Sequence, residues 1–595
     1  MAEAAAVKKK KPGIREVIRA LGNRKALYML LFGFASGLPL SLFLGTLYAW
    51  LTEAEVELET MGVFSLIGLA YAFQFLWSPL IDKVNIPGFA KLGKRKQWMV
   101  PAQILLGIIL VALSFSNPTD SNMGWFSLLA GIGALASATQ DIAINAWRID
   151  VADEVATLDM LSTIYQMGYR FAALVGGAGG LIIAARIGWP QTYLWMGAVL
   201  LLIGIAGLFA PDRKTGDVED GLAEDELMLS LRRKGELRPD IRAKALAVVG
   251  LLWAGAIGVV LTFMYMSLAF APEDRPNPTD FTLGWGPWII VATVVIPALI
   301  AGWLASQKER GENVLAEDAP AVGGRAFAMD HLYRALVMPL VEFVGRMGWS
   351  LVLILSLVLT YRICDAIWGT FAYPFYLGEL AYTNDEVAFA SKFFGVFAII
   401  LGLALGGYML TVIGRMATLT IGALLAALTN LLYADMAVGG QRMQAASDAI
   451  GFTRLIEFLA PFGSEGLARL TFTIMWENLA IGIAGAAFVA WLSSIVSKKY
   501  SAVQYALLSS LTLLVGTLGR GALGKMIEDR GYFDVFVFTT LIGFLAVALC
   551  IAEWIRVKRF GARSGVVTPD AAELVSTEPE AIAGEPVAAT REAPR

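Results

Sequence analysis

Long unbroken apolar runs constrain this 595-residue chain more than any other feature of its sequence. A hydrocarbon layer of roughly 30 Å is crossed by about 20 apolar residues in a helix, and only helices or closed barrels satisfy their backbone groups there. A barrel needs short segments of alternating polarity, and these runs do not alternate. Composition agrees, with 57% hydrophobic and 16% charged residues against about 25% charged in soluble domains. The sequence therefore predicts an all-α polytopic membrane protein. Its spans fall near Ala26–Trp50, Met61–Leu80, Trp98–Phe115, Trp125–Trp147, Ser162–Ala185, Thr192–Ala210, Ala243–Phe270, Trp285–Ala305, Trp349–Phe375, Val387–Ile413, Met416–Ala437, Leu470–Val496, Ala502–Leu523 and Val535–Ile555, fourteen in all.

Basic residues set the expected orientation. Lys8 to Lys11 precede the first span, and Lys91, Lys94, Arg95 and Lys96 follow the second; Thr52–Thr60, on the other side, holds acids and no base. Arg232, Arg233, Lys234, Lys498, Lys499, Arg556, Lys558 and Arg559 fall on the basic side too. The positive-inside rule places both termini in the cytoplasm. The first span is too long for a removable signal peptide and lacks a small-residue cleavage site. Net charge −3 gives no sign of a nucleic-acid partner. Cys364 and Cys550 lie inside spans, which indicates no disulfide framework. Lone His331 in a loop argues against a histidine metal site or catalytic triad, and no nucleophile motif or metal spacing is present. The expectation is a non-enzyme without cofactor or metal, acting as a monomer.

Matching landmarks recur about 325 residues apart. Gly45-Thr46 precedes an acidic loop, as Gly369-Thr370 does; the next span ends at Pro79-Leu80-Ile81-Asp82 in the first case and at Gly406-Gly407, followed by Gly414-Arg415, in the second; Arg186-Ile187-Gly188-Trp189 separates spans as Asp529-Arg530-Gly531-Tyr532 does. The same order in the same orientation describes a parallel repeat. The pattern resembles the major facilitator superfamily, two six-helix halves joined by a long loop. The superfamily's loop motif after helix 2 is matched by Asp82, Gly93, Lys94 and Arg95, although Ser78 stands where glycine is expected. On this basis residues 1–25 are a cytoplasmic segment, 26–210 one half, 211–348 a connector, 349–558 the second half and 559–595 a disordered tail. The connector holds an inserted helical hairpin (243–305) and an amphipathic interfacial helix (327–347).

Ionisable residues at membrane depth are costly and face a protein interior or aqueous cavity. Outside the hairpin these are Asp141, Arg170, Arg362, Asp365, Lys392, Glu477 and Arg520. They avoid helices 3, 6, 9 and 12, which the superfamily resemblance places outermost. Arg362 and Asp365 are i,i+3 neighbours; they are either a self-neutralising structural pair, or Asp365 takes a proton while Arg362 holds a substrate carboxylate. Lys392, Glu477 and Arg520 form a salt-bridge gate at the outer side or touch substrate. Asp141 and Arg170 share the cytoplasmic half and are placed to pair. Proton coupling is assigned to Asp365 and Glu477, since a carrier carboxyl needs burial to reach the working pH. Substrate binding is assigned to Arg170, Arg362, Lys392, Asp141 and the neighbouring aromatics Trp368 and Tyr169. Gating is assigned to Asp82, Arg95 and Arg520.

Several stretches resemble the AmpG-type muropeptide permeases: Gly33-Phe34-Ala35-Ser36-Gly37-Leu38-Pro39-Leu40, Phe75-Leu76-Trp77-Ser78-Pro79-Leu80, Ser137-Ala138-Thr139-Gln140-Asp141-Ile142, Cys364-Asp365-Ala366, Glu477-Asn478-Leu479 and Ala502-Val503-Gln504-Tyr505-Ala506-Leu507-Leu508-Ser509. The resemblance implies proton-driven import of N-acetylglucosaminyl-1,6-anhydro-N-acetylmuramic acid, with or without peptide, across a bacterial inner membrane for peptidoglycan recycling. Such permeases also feed β-lactamase induction in some bacteria. This chain departs from relatives that carry an extra helix pair at the C-terminus, since its pair lies between the halves. A transporter of another anionic conjugate such as acetyl-coenzyme A is the alternative, and a membrane receptor or embedded enzyme a more distant one.

Overall fold

The computed structural model describes residues 22–54, 56, 71, 73–116, 118, 123–211, 236–270, 274, 276, 278–315, 324–362, 371–372 and 374–560. Helix α1 (Arg24–Ser41) runs through a π-type turn at Leu42–Thr46 into Leu47–Glu53. It is followed by α2 (Ser78–Lys83), α3 (Lys96–Ser114), α4 (Met123–Val151), α5 (Leu158–Leu174, continued over Gly180–Ile187) and α6 (Trp189–Gly207). The connector supplies α7 (Pro239–Ala269), α8 (Pro278–Ile290, continued over Ile296–Glu309), α9 (Gly324–Leu336) and α10 (Met338–Met347). The second half contains α11 (Ser350–Thr360), α12 (Asn384–Ala388, continued over Val396–Val412), α13 (Arg415–Ala437), α14 (Gln441–Ala449), α15 (Phe452–Leu459) and α16 (Leu467–Ser494). A last helical stretch, Ser501–Phe560, breaks at Gly531 into α17 (501–530) and α18 (532–560). Residues 61–70 and 72 of the second predicted span, and residues 363–370 and 373 of the ninth (Trp349–Phe375), lie outside the described residues. Among the described residues ten helices are long and apolar enough to cross a membrane, or eleven with α10 and α11 taken as one bent span.

Polar residues at the ends explain where helices begin. The Asn23 side chain accepts from the Lys25 amide at 2.9 Å and starts α1. Thr157 caps α5, and Thr383 with Glu386 makes a reciprocal capping box on α12, satisfying amides that a helix start leaves unpaired. Glycines turn the chain at equivalent points of the two halves. Gly93 and Gly414 (φ 96 and 87°) ahead of α3 and α13, and Gly188 and Gly531 (φ 84 and 78°) ahead of α6 and α18, all take the same positive-φ conformation. Only glycine takes such angles without strain, so the parallel repeat read in the sequence exists in the backbone.

Each half has its own buried core. Phe32, Trp50, Phe126, Trp147 and Tyr193 lie in the first, and Leu357, Tyr361, Phe488 and Trp491 in the second. The hairpin is a bounded module. Strand β1 (Glu236–Leu237) pairs antiparallel with β2 (Val314–Leu315) across its base. Its arms are joined by the Trp253 indole donating to Thr293 O at 3.1 Å, and Trp253 meets Phe75 of the first half edge-on. The stretch 327–347, expected as one interfacial helix, runs as two helices that part at Val337. Pro339, which cannot continue an α-helical hydrogen-bond ladder, sits in the first turn of the second, and α10 then bends 105° into α11.

The halves touch mainly at one end. Helix α5 meets α12 and α16 through Leu158–Leu174, whereas its continuation packs within its own half. This is the end that carries the basic loop 83–95.

Candidate functional site

Close approach of α1 and α5 organises the centre of the first half. A Cβ on Gly33 would lie 2.3 Å from the Tyr165 carbonyl oxygen, and one on Gly168 2.3 Å from that of Leu30. Small residues allow such backbone contact between membrane helices. The contact brings Ser36, Tyr165 and Asp141 together. Both hydroxyls donate to the same Asp141 oxygen, Tyr165 at 2.7 Å, and the two hydroxyls lie 2.9 Å apart. Asp141 stays partly accessible. One turn before it on α4, Ser137 accepts from Tyr71 at 2.7 Å.

Tyr169 sits beside this cluster, within electrostatic reach of Asp141, Arg170 and Arg362. Arg362 comes from the second half, so cations from both halves converge on one tyrosine. The expected Asp141–Arg170 pair does not form. Asp141 takes hydroxyl partners instead, because Gly33 and Gly37 seat α1 where Ser36 reaches it first. Asp365 and Trp368 lie outside the described residues, as does the Arg520 side chain.

Two turns beyond Asp141 on α4 is Arg148, fully buried. Its Nη2 donates to Ser493 Oγ on α16 at 2.9 Å, and its guanidinium lies 4.8 Å from the Tyr165 ring centre and 5.2 Å from that of Tyr505 on α17. Its Nε and Nη1 are buried without a hydrogen-bond partner. Arg148 was not among the sequence candidates because it lies near the predicted end of its span. The signal was available: a separation of seven residues puts it on the same helix face as Asp141.

Below Arg148 the basic end is held shut by a denser network. Arg95 donates to Asp82 at 2.6 Å, to Asp150 at 2.7 Å and to Ser501 of α17 at 2.8 Å. Asp82 also accepts from the Val503 amide at 3.0 Å, a charge-assisted bond to a helix N-terminus. Gln504 donates to Pro339 O at 3.0 Å and to Glu342, and accepts from Arg346 at 3.3 Å, which ties α10 to the same turn. Arg415 binds Asp159 at 2.8 Å, joining the starts of α13 and α5. Of these residues the sequence singled out Asp82 and Arg95.

In the second half Tyr433 donates to Glu477 and lies 2.8 Å from the Tyr376 hydroxyl. Lys392 is exposed on α12 and does not pair with Glu477, so the expected outer salt bridge between these two is not made.

The chain as a whole is similar to known proteins. The chain is 27% identical to the anhydromuropeptide permease of Escherichia coli K12 over 88% of its own length and 78% of the relative's. It is 25% identical to a transporter named AmpG 4 from Rickettsia felis over 87% of this chain and 93% of that one. Residues 26–175 match a family model described as acetyl-coenzyme A transporter 1. A crystal structure of a double-tryptophan XylE mutant aligns with 88% of this chain and 94% of its own at 13% identity, with a TM-score of 0.49.

Proposed function

We infer that this homologue of the AmpG-named permeases, a polytopic protein with the major facilitator architecture, is itself a permease for anhydro-muropeptides. The observation that carries the reading is that Tyr169 of the first half lies within electrostatic range of Arg170, of Asp141 and of Arg362 from the second half. A disaccharide that bears a lactyl carboxylate, and a peptide with further carboxylates, suits guanidinium donors flanked by aromatic faces. The amine of a diamino acid suits a carboxylate.

Transport runs toward the cytoplasm and is driven by protons on this reading. With the basic end cytoplasmic, the structure is closed inward, the state that would receive substrate from the periplasm. Asp141, Glu477 and Asp365 are the carboxyl groups available to carry a proton. Arg170→Ala and Arg362→Ala weaken uptake of peptide-bearing substrate more than of the bare disaccharide; equal losses would assign both residues to structure.

The decisive test is uptake of labelled anhydro-muropeptide by the purified protein in proteoliposomes under an imposed proton gradient, with acetyl-coenzyme A as competitor. Accumulation that collapses with the gradient and ignores the competitor supports the proposal. Accumulation of acetyl-coenzyme A alone would transfer the assignment to the relatives matched over residues 26–175.

A further inference from the structure

Arg148 is a buried cation that the transport reading above does not use. It reaches from α4 to Ser493 on α16 and to the Tyr505 ring on α17, so it bridges the two halves. No carboxylate touches it among the described residues; the carboxylate it acts on electrostatically is Asp141, seven residues before it on the same face, and the two share Tyr165. Tyr165 is shared: its hydroxyl donates to Asp141 while its ring lies under the guanidinium.

A buried charge is tolerated only with compensation. Two of the three guanidinium nitrogens of Arg148 have no partner, so the seam around it depends on the negative charge of Asp141. We propose that Asp141, Tyr165 and Arg148 form a proton-operated latch between the halves. With Asp141 ionised, Arg148 stays locked on Ser493 and Tyr505. When Asp141 takes up a proton from the cavity to which it is partly open, Arg148 loses its counter-charge. Water must then reach the guanidinium, and the basic end parts.

Other groups that face Asp141 are Tyr71, Tyr165 and Tyr169, with Arg148 on its own helix. Arg170 and Arg362 act on the neighbouring Tyr169; α1 contributes the Ser36 hydroxyl, α16 contributes Ser493 to the Arg148 end, and α17 contributes Tyr505. Asp82 and Asp150 are engaged by Arg95 farther along the seam. The tyrosines stay neutral across the working range of pH, which leaves Asp141 as the group of this set that changes charge.

The latch deepens the proposed function by naming its coupling group, yet it can be tested without substrate. Hydrogen exchange of the full chain in lipid nanodiscs, followed over residues 489–505 between pH 5 and pH 8, reports opening of the seam. With rates corrected for the base-catalysed intrinsic exchange at each pH, the wild type is expected to show at least tenfold lower protection at the acidic end of the range. Asp141→Asn, which mimics the protonated carboxyl, should show low protection at both ends, and Arg148→Gln should lose the pH response. Asp153→Asn, in the loop after α4, keeps the wild-type response as a control. Should Asp141→Asn fail to fold, Tyr165→Phe keeps the ring under Arg148 but removes the hydroxyl from Asp141, and must displace the pH midpoint. Wild-type protection with an intact pH response in Asp141→Asn, or an unmoved midpoint in Tyr165→Phe, overturns the latch. Failure of muropeptide uptake with the latch intact would overturn the substrate instead.

Discussion

Gly37 has no room for a side chain, because a Cβ there would fall 2.4 Å from the Tyr169 carbonyl oxygen. The neighbour is backbone, so neither helix can yield by turning a rotamer. Overpacking of this kind costs about 1–3 kcal/mol, against which alanine returns about 1 kcal/mol of helix propensity. Gly37→Ala should therefore lower stability by up to about 2 kcal/mol, measured by thermal unfolding in detergent. Gly45→Ala, with open space around its Cβ position, should not. Asp153 illustrates a milder residue-scale effect. Burial raises its pKa, but the Lys25 ammonium at 2.5 Å and the amides of Ala156 and Val155 outweigh this and hold it below the usual carboxylate range. Its contribution is present above the unfolded pKa and fades as pH falls through the depressed folded value. Since its side chain is 44% exposed, screening keeps that contribution small. The stretch Gly33–Leu40 was marked in the sequence by resemblance, but the purpose of its glycines was not legible. What the glycines do is seat Ser36 and Tyr165 on Asp141, and a partner four helices along the sequence cannot be read from a single span.

At the scale of elements, the start of α17 is where the basic end is gripped. Ser501, Val503, Gln504 and Tyr505 each contact a different element: the loop before α3, the end of α2, α10, and Arg148 of α4. The sequence marked this run by resemblance alone; the structure supplies a physical reason for each residue. Two substitutions separate the buried bonds from the exposed one. Asp82 is an acceptor for Arg95, whose side chain is 1% exposed, and for the Val503 amide. Removing one member of such a buried pair costs up to about 3–5 kcal/mol, less here because Asp150 still faces Arg95. Lys94 stands 3.9 Å from Asp82 with 46% of its side chain exposed, and surface pairs contribute about 0–1 kcal/mol. Asp82→Ala should thus abolish most uptake and lower the unfolding temperature by several degrees, while Lys94→Ala should leave both near wild type. The hairpin was also legible as two apolar runs in the connector. Its clamp was not, because β1 and β2 are two residues each and lie nearly 80 residues apart in the chain.

For the molecule as a whole, the repeat could be read from the sequence because glycine turns leave a local signature, whereas the contact between repeats could not. Asp159 and Arg415 are the clearest case: neither lies deep in a span, so a search for charges at membrane depth passes over both, yet the bond between them joins the halves at the end that is closed. The side chains are 15% and 7% exposed, which makes the pair costly to break from either side. Coupled residues in one ion pair show interaction energies of about 0.5–3 kcal/mol. A double-mutant cycle with Asp159→Ala and Arg415→Ala should return a coupling within that range for unfolding. The more telling test concerns the balance between open and closed states. Either single reversal, Asp159→Arg or Arg415→Asp, sets two like charges together at the seam and should favour opening of the basic end, read as faster hydrogen exchange near the start of α5 and α13. Combining the two restores opposite charges at the same distance, and exchange should return toward wild type. If the double reversal stays as open as the singles, the pair serves the local shape of the α12–α13 turn, and closure rests on the grip on α17 alone.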